Sequence, residues 1–471
     1  TIYNQNFGVV RETIRLDLKP GVNRIAFSDI TAHLEPDSVI LRDPTGQRQL
    51  HILEQNYRND PVSQGLLLSL YEGQTIDFLV RRGDIEEIVQ GKIIRSGYVS
   101  PVPRPWQYQY SYPQPSPGQE QPIVEIEGEI RFGLPGQPLF PSLTDETILK
   151  PTLNWVMESD AAGPLEAELA YVTDGMTWEA SYNLVSPEKG DVLDIVGWVT
   201  IDNQSGRTFE EARIKLMAGD VSRLRRVERE RYAAEAAGMA LYAAPAPPPV
   251  TEKPFEEYHL YTVQRATTLH DRETKQIEFL RASEVTFTRF YVYDGAKIDW
   301  NEYRRRTYFN QDASYGTECN NKVWTMCEFE NKEANGLGVP LPRGRTRFYR
   351  RDEDGQLEFT GENIIDHTPK DETVRVYIGS AFDIVGERKR TDYKIDRGAE
   401  TVDESFEIKL RNHKKEPVEI RVIEHLYRGL NWEITASSNI FKKIESQTVE
   451  FRIQVKRDEE KVLTYTVHYT W

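Results

Sequence analysis

"QTVEFRIQVKRD" (Gln447–Asp458) is followed two residues later by "KVLTYTVHYTW" (Lys461–Trp471). In the first run Val449, Phe451, Ile453 and Val455 fall on one side, and Glu450, Arg452, Gln454 and Lys456 on the other. In the second, Leu463, Tyr465, Val467, Tyr469 and Trp471 share a face. A half-buried strand requires this period of two, because successive side chains point to opposite faces. The polar "KRDEEK" between the runs predicts a turn, and hence a terminal hairpin. Upstream, "ESFEIKLRNHKKEPVEIRVIEHL" (Glu404–Leu426) repeats the plan, with Phe406, Ile408 and Leu410 before a polar turn and Val418, Ile420 and Val422 after it.

The same signal runs through the chain. "RETIRLDLKPGVNRIAF" (Arg11–Phe27) alternates through Ile14, Leu16 and Leu18, turns at Pro20-Gly21 and resumes with Val22, Ile25 and Phe27. Pro-Gly supplies the fixed and the positive φ of a tight turn. A hairpin is predicted around Asn203–Arg207, and Val374, Val376 and Ile378 mark another strand. "NGLGVPLPRG" (Asn335–Gly344) begins like a phosphate-cradling loop. Its third-glycine position is Leu341, however, and no helix comes after it. It leads into two alternating runs joined by Asp354-Gly355, a strong hairpin signal. One short helix is predicted after Asp60, capped by that residue, with Pro61 at its first position and Gly73 beyond its end. A second is predicted from Val221 to about Ala243, before "APAPPPV".

Strands separated by short turns predict an all-β protein of tandem antiparallel β-sandwich domains, immunoglobulin-like, with a few short helices. At 471 residues the chain is long enough for several cores. The expected domains are 1–150, with a Pro/Tyr-rich arm at 101–122; 151–285, with a helix and Pro-rich insert at 221–250; and 286–471. Net charge is -16, from 75 acidic and 59 basic residues, which disfavours nucleic acid as a partner. No run of about twenty apolar residues exists to span a membrane as a helix. The chain begins at Thr1, which fits removal of a secretion signal or a trimmed start.

Several longer stretches carry a resemblance. "NKEANGLGVPLPRGRTRFYRRDEDGQLEFTGENIIDHTPKDE" and its continuation to Lys394 resemble the signature region of a bacterial family known only as domain of unknown function four-one-three-nine. "YVTDGMTWEASYNLV" (Tyr171–Val185), "LRNHKKEPVEIRVIEHL" and "YTVHYTW" also fit its pattern. The resemblance covers most of the chain outside 101–122, 221–250 and the Cys319–Cys327 stretch. It implies a bacterial, commonly exported product with β-sandwich architecture, and no established activity.

The chemistry-bearing residues are few. Cys319 and Cys327 are a candidate disulfide across a loop, the alternative being two free thiols. His367, beside Asp366 and near Asp371 and Glu372, is a candidate acid–base or metal cluster, against a plain turn. Asp352, Glu353 and Asp354 are candidate calcium ligands, against a hairpin turn. Asp194, Asp202, Glu210 and Glu211 leave a glycosidase pair open, and Asn203-Gln204-Ser205 fits a glycosylation sequon. Trp106, Tyr108, Tyr110 and Tyr112 are a candidate interaction surface for peptide or glycan. No cofactor is expected. The expectation is a non-catalytic, extracytoplasmic structural or interaction protein, pairing its terminal strands with copies of itself or with surface proteins. A carbohydrate- or peptide-binding module is the alternative, and a cryptic hydrolase the third reading.

Overall fold

The structure, a computed structural model, describes residues 1–83, 85–98, 121–141, 148–219, 221, 250–255, 258–298 and 311–471. Strands make up 65% of it and helices 4%, so the protein is all-β, built of antiparallel sheets as its alternation predicts. Parallel pairing also occurs, as between Met176–Ser186 and Gly344–Arg351 and between Thr288–Asp294 and Val418–His425. The helix and tether expected at 221–250 lie outside the described residues, apart from Val221 and Val250.

The chain divides into two compact units, and neither is one continuous stretch. The first is Thr1–Trp178, Ile201–Leu216 and Ala266–Lys275; the second is Glu179–Thr200, Met217–Arg265 and Gln276–Trp471. These bounds differ from 1–150, 151–285 and 286–471, because the chain returns to an earlier unit and composition along the sequence cannot register a return.

In the first unit, strands Phe7–Leu18 and Gly163–Asp174 pair along their full length, while Thr152–Ser159 pairs with Gly21–Ser28 on one side and Leu50–Arg58 on the other. Their inner faces meet through Ile14, Leu16, Leu18, Leu153, Trp155, Met157, Leu165 and Leu169, the interdigitated core of a sandwich. The Pro20-Gly21 turn therefore carries the chain between sheets. Gly21 takes φ +86, and Asn23 donates to the carbonyls of Lys19 and Gly21.

A separate five-stranded sheet has the order 137–139, 75–82, 85–95, 123–126, 129–132. Helix Gln64–Leu70 lays Leu68 on its core beside Phe78, Ile93 and Val124. Its cap is Ser63, whose hydroxyl accepts the Leu66 N–H at 3.2 Å, not Asp60. Asp60 instead accepts the Tyr98 hydroxyl, and Pro61 bridges to Ile148. Both residues suit a helix start, and tertiary partners took the first.

The second unit holds a nine-stranded sheet in the order 431–437, 459–470, 401–412, 373–396, 322–330, 288–294, 418–425, 448–455, 441–445. Strand Thr373–Asp396 pairs with 322–330 through its first half and with 401–412 through its second. It is the corner at which the sheet folds over itself. The two terminal runs thus lie in opposite layers and face each other, Phe451 and Tyr465 having ring centroids 5.7 Å apart. They are not the expected hairpin: Thr448–Val455 pairs with Val418–His425, and Glu459–Thr470 with Thr401–Asn412. The Glu404–Leu426 pair also splits between layers. The alternation holds, but it specifies which face is buried and not which neighbour is paired.

The outermost strands, Asn431–Ser437 and Phe441–Glu445, are separated by three residues yet sit at opposite ends of the order. The rolled sheet brings its own rims together, and Trp432 donates its indole N–H to the Ser446 carbonyl at 2.9 Å.

One side-chain device occurs twice. Asn203, fully buried, donates through Nδ2 to the carbonyls of Arg207, Leu269 and His270, while its Oδ1 accepts the Ser205 N–H. Asn412, equally buried, donates to Glu416, Val455 and Lys456 and accepts the Lys414 N–H. The clasped segments match as well. Arg272 and Asp458 both have positive φ, and Glu273 and Glu459 accept the N–H of His270 and Lys456. The residue six beyond each asparagine pairs with the first clasped residue of the other strand, Phe209 with Leu269 and Val418 with Val455. The same arch of chain has been built twice. At the first, the strand after Arg207 pairs with Thr267–Leu269, so the hairpin expected around Asn203–Arg207 is not formed.

Candidate functional site

The loop Asn335–Gly344 is a structural connector. Gly336 ends a 3-10 turn at φ +72, and at Gly338 (φ +87) a Cβ would lie 2.7 Å from the Glu333 nitrogen. Buried Asn331 accepts the Gly338 N–H and donates to Val339 and Pro369. The loop delivers the chain into the expected hairpin, Gly344–Arg351 with Leu357–Ile365.

The acidic candidates do not converge. Asp354 accepts the Gln356 N–H in the Asp352–Gln356 turn. His367 Nδ1 accepts the Arg343 N–H at 3.1 Å, and the Asp366 side chain is 95% exposed. Asp194 accepts the Glu284 N–H, Asp202 the Thr274 hydroxyl, and Glu210 and Glu211 are exposed. Among the described residues no three His, Cys, Asp or Glu stand together as metal ligands. The Asn203 amide is buried and engaged, so the sequon is a turn. Among the described residues no helix is long and apolar enough to cross a membrane, which leaves strand-built spans untouched.

The expected disulfide is absent: Cys319 and Cys327 are free thiols. Cys327 lies opposite Arg289, while Cys319 bridges to Ala296. They sit eight residues apart along nearly one extended path, roughly 20 Å or more, where a disulfide needs Cα atoms about 4.4–6.8 Å apart. Burial pushes the Cys327 thiol up to about 12. Trp106, Tyr108, Tyr110 and Tyr112 lie outside the described residues.

A cluster of buried charge lies inside the second unit, and the sequence reading missed it. Glu404 and Glu424 are fully buried in the second unit's core; Arg388 is 3% exposed and Arg428 2%. Arg388 Nε donates to both Glu424 oxygens at 3.0 Å and stacks 4.0 Å over the Phe406 ring. Glu404 accepts from Arg390 at 3.0 Å and Arg428 at 2.9 Å. The remaining donors hold one loop by its carbonyls: Tyr393 takes Gln311, Arg428 takes Asp312 and Tyr315, Arg390 takes Ala313 and Arg388 takes Gly316. Burial works against the Arg388 charge, but Glu424 holds its pKa well above the ordinary value. Burial and Glu424 together keep the Tyr465 phenol protonated, and it donates to Glu424. This lattice is a clamp for residues 311–316. A signal for it existed: Glu404 is in phase with Phe406, Ile408 and Leu410, and Glu424 with Val418, Ile420 and Val422.

The strongest outward-facing feature is the last strand of the five-stranded sheet, Glu129–Phe132. Its inner side pairs with Ile123–Ile126, and among the described residues its outer side has no neighbour. All four side chains are exposed, Ile130 at 66% and Phe132 at 73%. Another rim, Phe441–Glu445, carries two adjacent like charges, Lys442 and Lys443, the usual protection against unwanted pairing, whereas the charges on Glu129–Phe132 are of opposite sign.

Comparison of the chain with protein-family models and with curated proteins returns no match.

Proposed function

We propose that this chain is a non-catalytic, exported structural or interaction protein that associates with copies of itself through an open strand edge. The observation that carries the reading is Glu129–Phe132, an edge with no outer neighbour among the described residues and two large exposed apolar side chains. Exposed edges of this kind template pairing with a further strand, and natural sheets ordinarily blunt them. The terminal strand Glu459–Thr470, expected to offer such an edge, is flanked on both sides and cannot. Supporting the non-catalytic part, the buried carboxylates and guanidiniums are engaged with one another and with the protein's own loop. The test is sedimentation of the full chain over a wide concentration range, with electron microscopy of the same samples. Concentration-dependent association supports the reading, and a monomer at every concentration overturns it.

A further inference from the structure

We propose that Glu129–Phe132 pairs with the same strand of a second copy, antiparallel, about a two-fold axis through Ile130; this rests on the reading above and gives it a register. A two-fold axis perpendicular to the sheet keeps inner faces together, so it must pass through a residue. Through Ile130 it sets Ile130 against its own copy, Glu129 against Arg131 of the other chain, and Arg131 against its Glu129. Phe132 then meets Gly128, which has no side chain and turns the hairpin at φ +81. Moving the axis to Arg131 opposes two arginines, and moving it to Glu129 opposes two glutamates. Directly opposite like charges destabilise a strand pair and opposite charges stabilise it.

The four residues therefore read as self-complementary in one register alone. Glu129 and Arg131 lie on the sheet's inner side, across from Ile126 and Val124, and pair with each other at 3.0 Å, both side chains exposed. Ile130 and Phe132 occupy the outer side, across from Glu125 and Ile123. Pairing gives the carboxylate and guanidinium a second partner and covers both apolar side chains. Because the interface is isologous, each substitution acts on it twice.

The experiment compares the full chain with Glu129→Arg, Arg131→Glu and the double exchange by sedimentation equilibrium. All substituted positions are exposed, and circular dichroism confirms the fold of each variant. Each single reversal is expected to weaken the dimer about 10-fold or more, and the double exchange to restore it. In a Cys319→Ser background, Ile130→Cys is expected to give a dimer cross-linked through residue 130 on oxidation. Association that ignores charge reversal and yields no such cross-link overturns this edge and register while leaving self-association standing. A strictly monomeric wild-type chain overturns both.

Discussion

Glu404→Gln tests whether the buried lattice is the clamp described. The carboxylate is fully buried and accepts from Arg390 and Arg428, with the Tyr427 hydroxyl at 3.3 Å. Glutamine keeps the shape but removes the charge and aims an N–H₂ group at guanidiniums that are themselves only donors. Removing one member of a buried ion pair typically costs about 3–5 kcal/mol, because the other charge is left uncompensated. For a body of this size each kcal/mol lowers the melting temperature by about 2–4 °C, so a fall of about 6–20 °C is expected. The exposed pair Arg411–Glu387, 3.1 Å apart, is the control: Glu387→Gln is expected to cost under about 1 kcal/mol. Hydrogen exchange supplies a second readout. Arg390 and Arg428 hold the carbonyls of Asp312, Ala313 and Tyr315, so residues 311–316 lose protection more than the strands do. A loss no larger than the control's, or a loop with unchanged exchange, refutes the clamp.

Four further outcomes are expected. Asn203→Ala and Asn412→Ala each strip three carbonyls of a donor, one of them buried (Leu269 and Val455), and should cost similar amounts, about 1–3 kcal/mol by chemical denaturation; sharply unequal losses would deny the arches a common role. Gly316→Ala places a Cβ 2.2 Å from the Tyr427 ring at φ +73 and should cost about 2–3 kcal/mol, whereas Gly355→Ala, with open space around it, should cost less. A thiol reagent should label one cysteine of the native chain and two after unfolding, with Cys319→Ser abolishing the native label, since Cys327 is buried and its thiol held protonated. The hydrogen bond to Asp294 raises the His425 pKa against the opposing effect of burial. A raised folded-state value means that the stabilisation is complete below the unfolded value of about 6.5 and lost as pH rises through the folded one. His425→Gln should flatten that part of the stability–pH curve.

The class of fold was legible because alternation is local: Phe406, Ile408 and Leu410, and Leu463, Tyr465 and Val467, are all buried on the phase their spacing assigns them. The neighbours were not legible. A polar turn such as 456–461 can join paired strands or cross between layers, and the difference lies in contacts with residues some forty positions away. The Asp354-Gly355 hairpin was readable because a two-strand turn with that dipeptide carries its own geometry. The helix cap failed for the opposite reason, since Asp60 and Ser63 are equally good local choices. The lattice was hidden by habit: charged residues on strands are taken as outward, although Glu404 and Glu424 keep step with the apolar face. The edge at 129–132 was not legible, because whether a strand has a second neighbour is decided by pairing and not by its own residues.

The position of Glu459–Thr470 has a mechanical meaning. Twelve of its residues are in register with 401–412 on one side and six with 431–437 on the other. A load applied at Trp471 along the strand axis would have to shear both ladders together, with many hydrogen bonds strained in parallel, instead of unzipping one bond at a time from a loose rim. The strand is thus held on both flanks against shear.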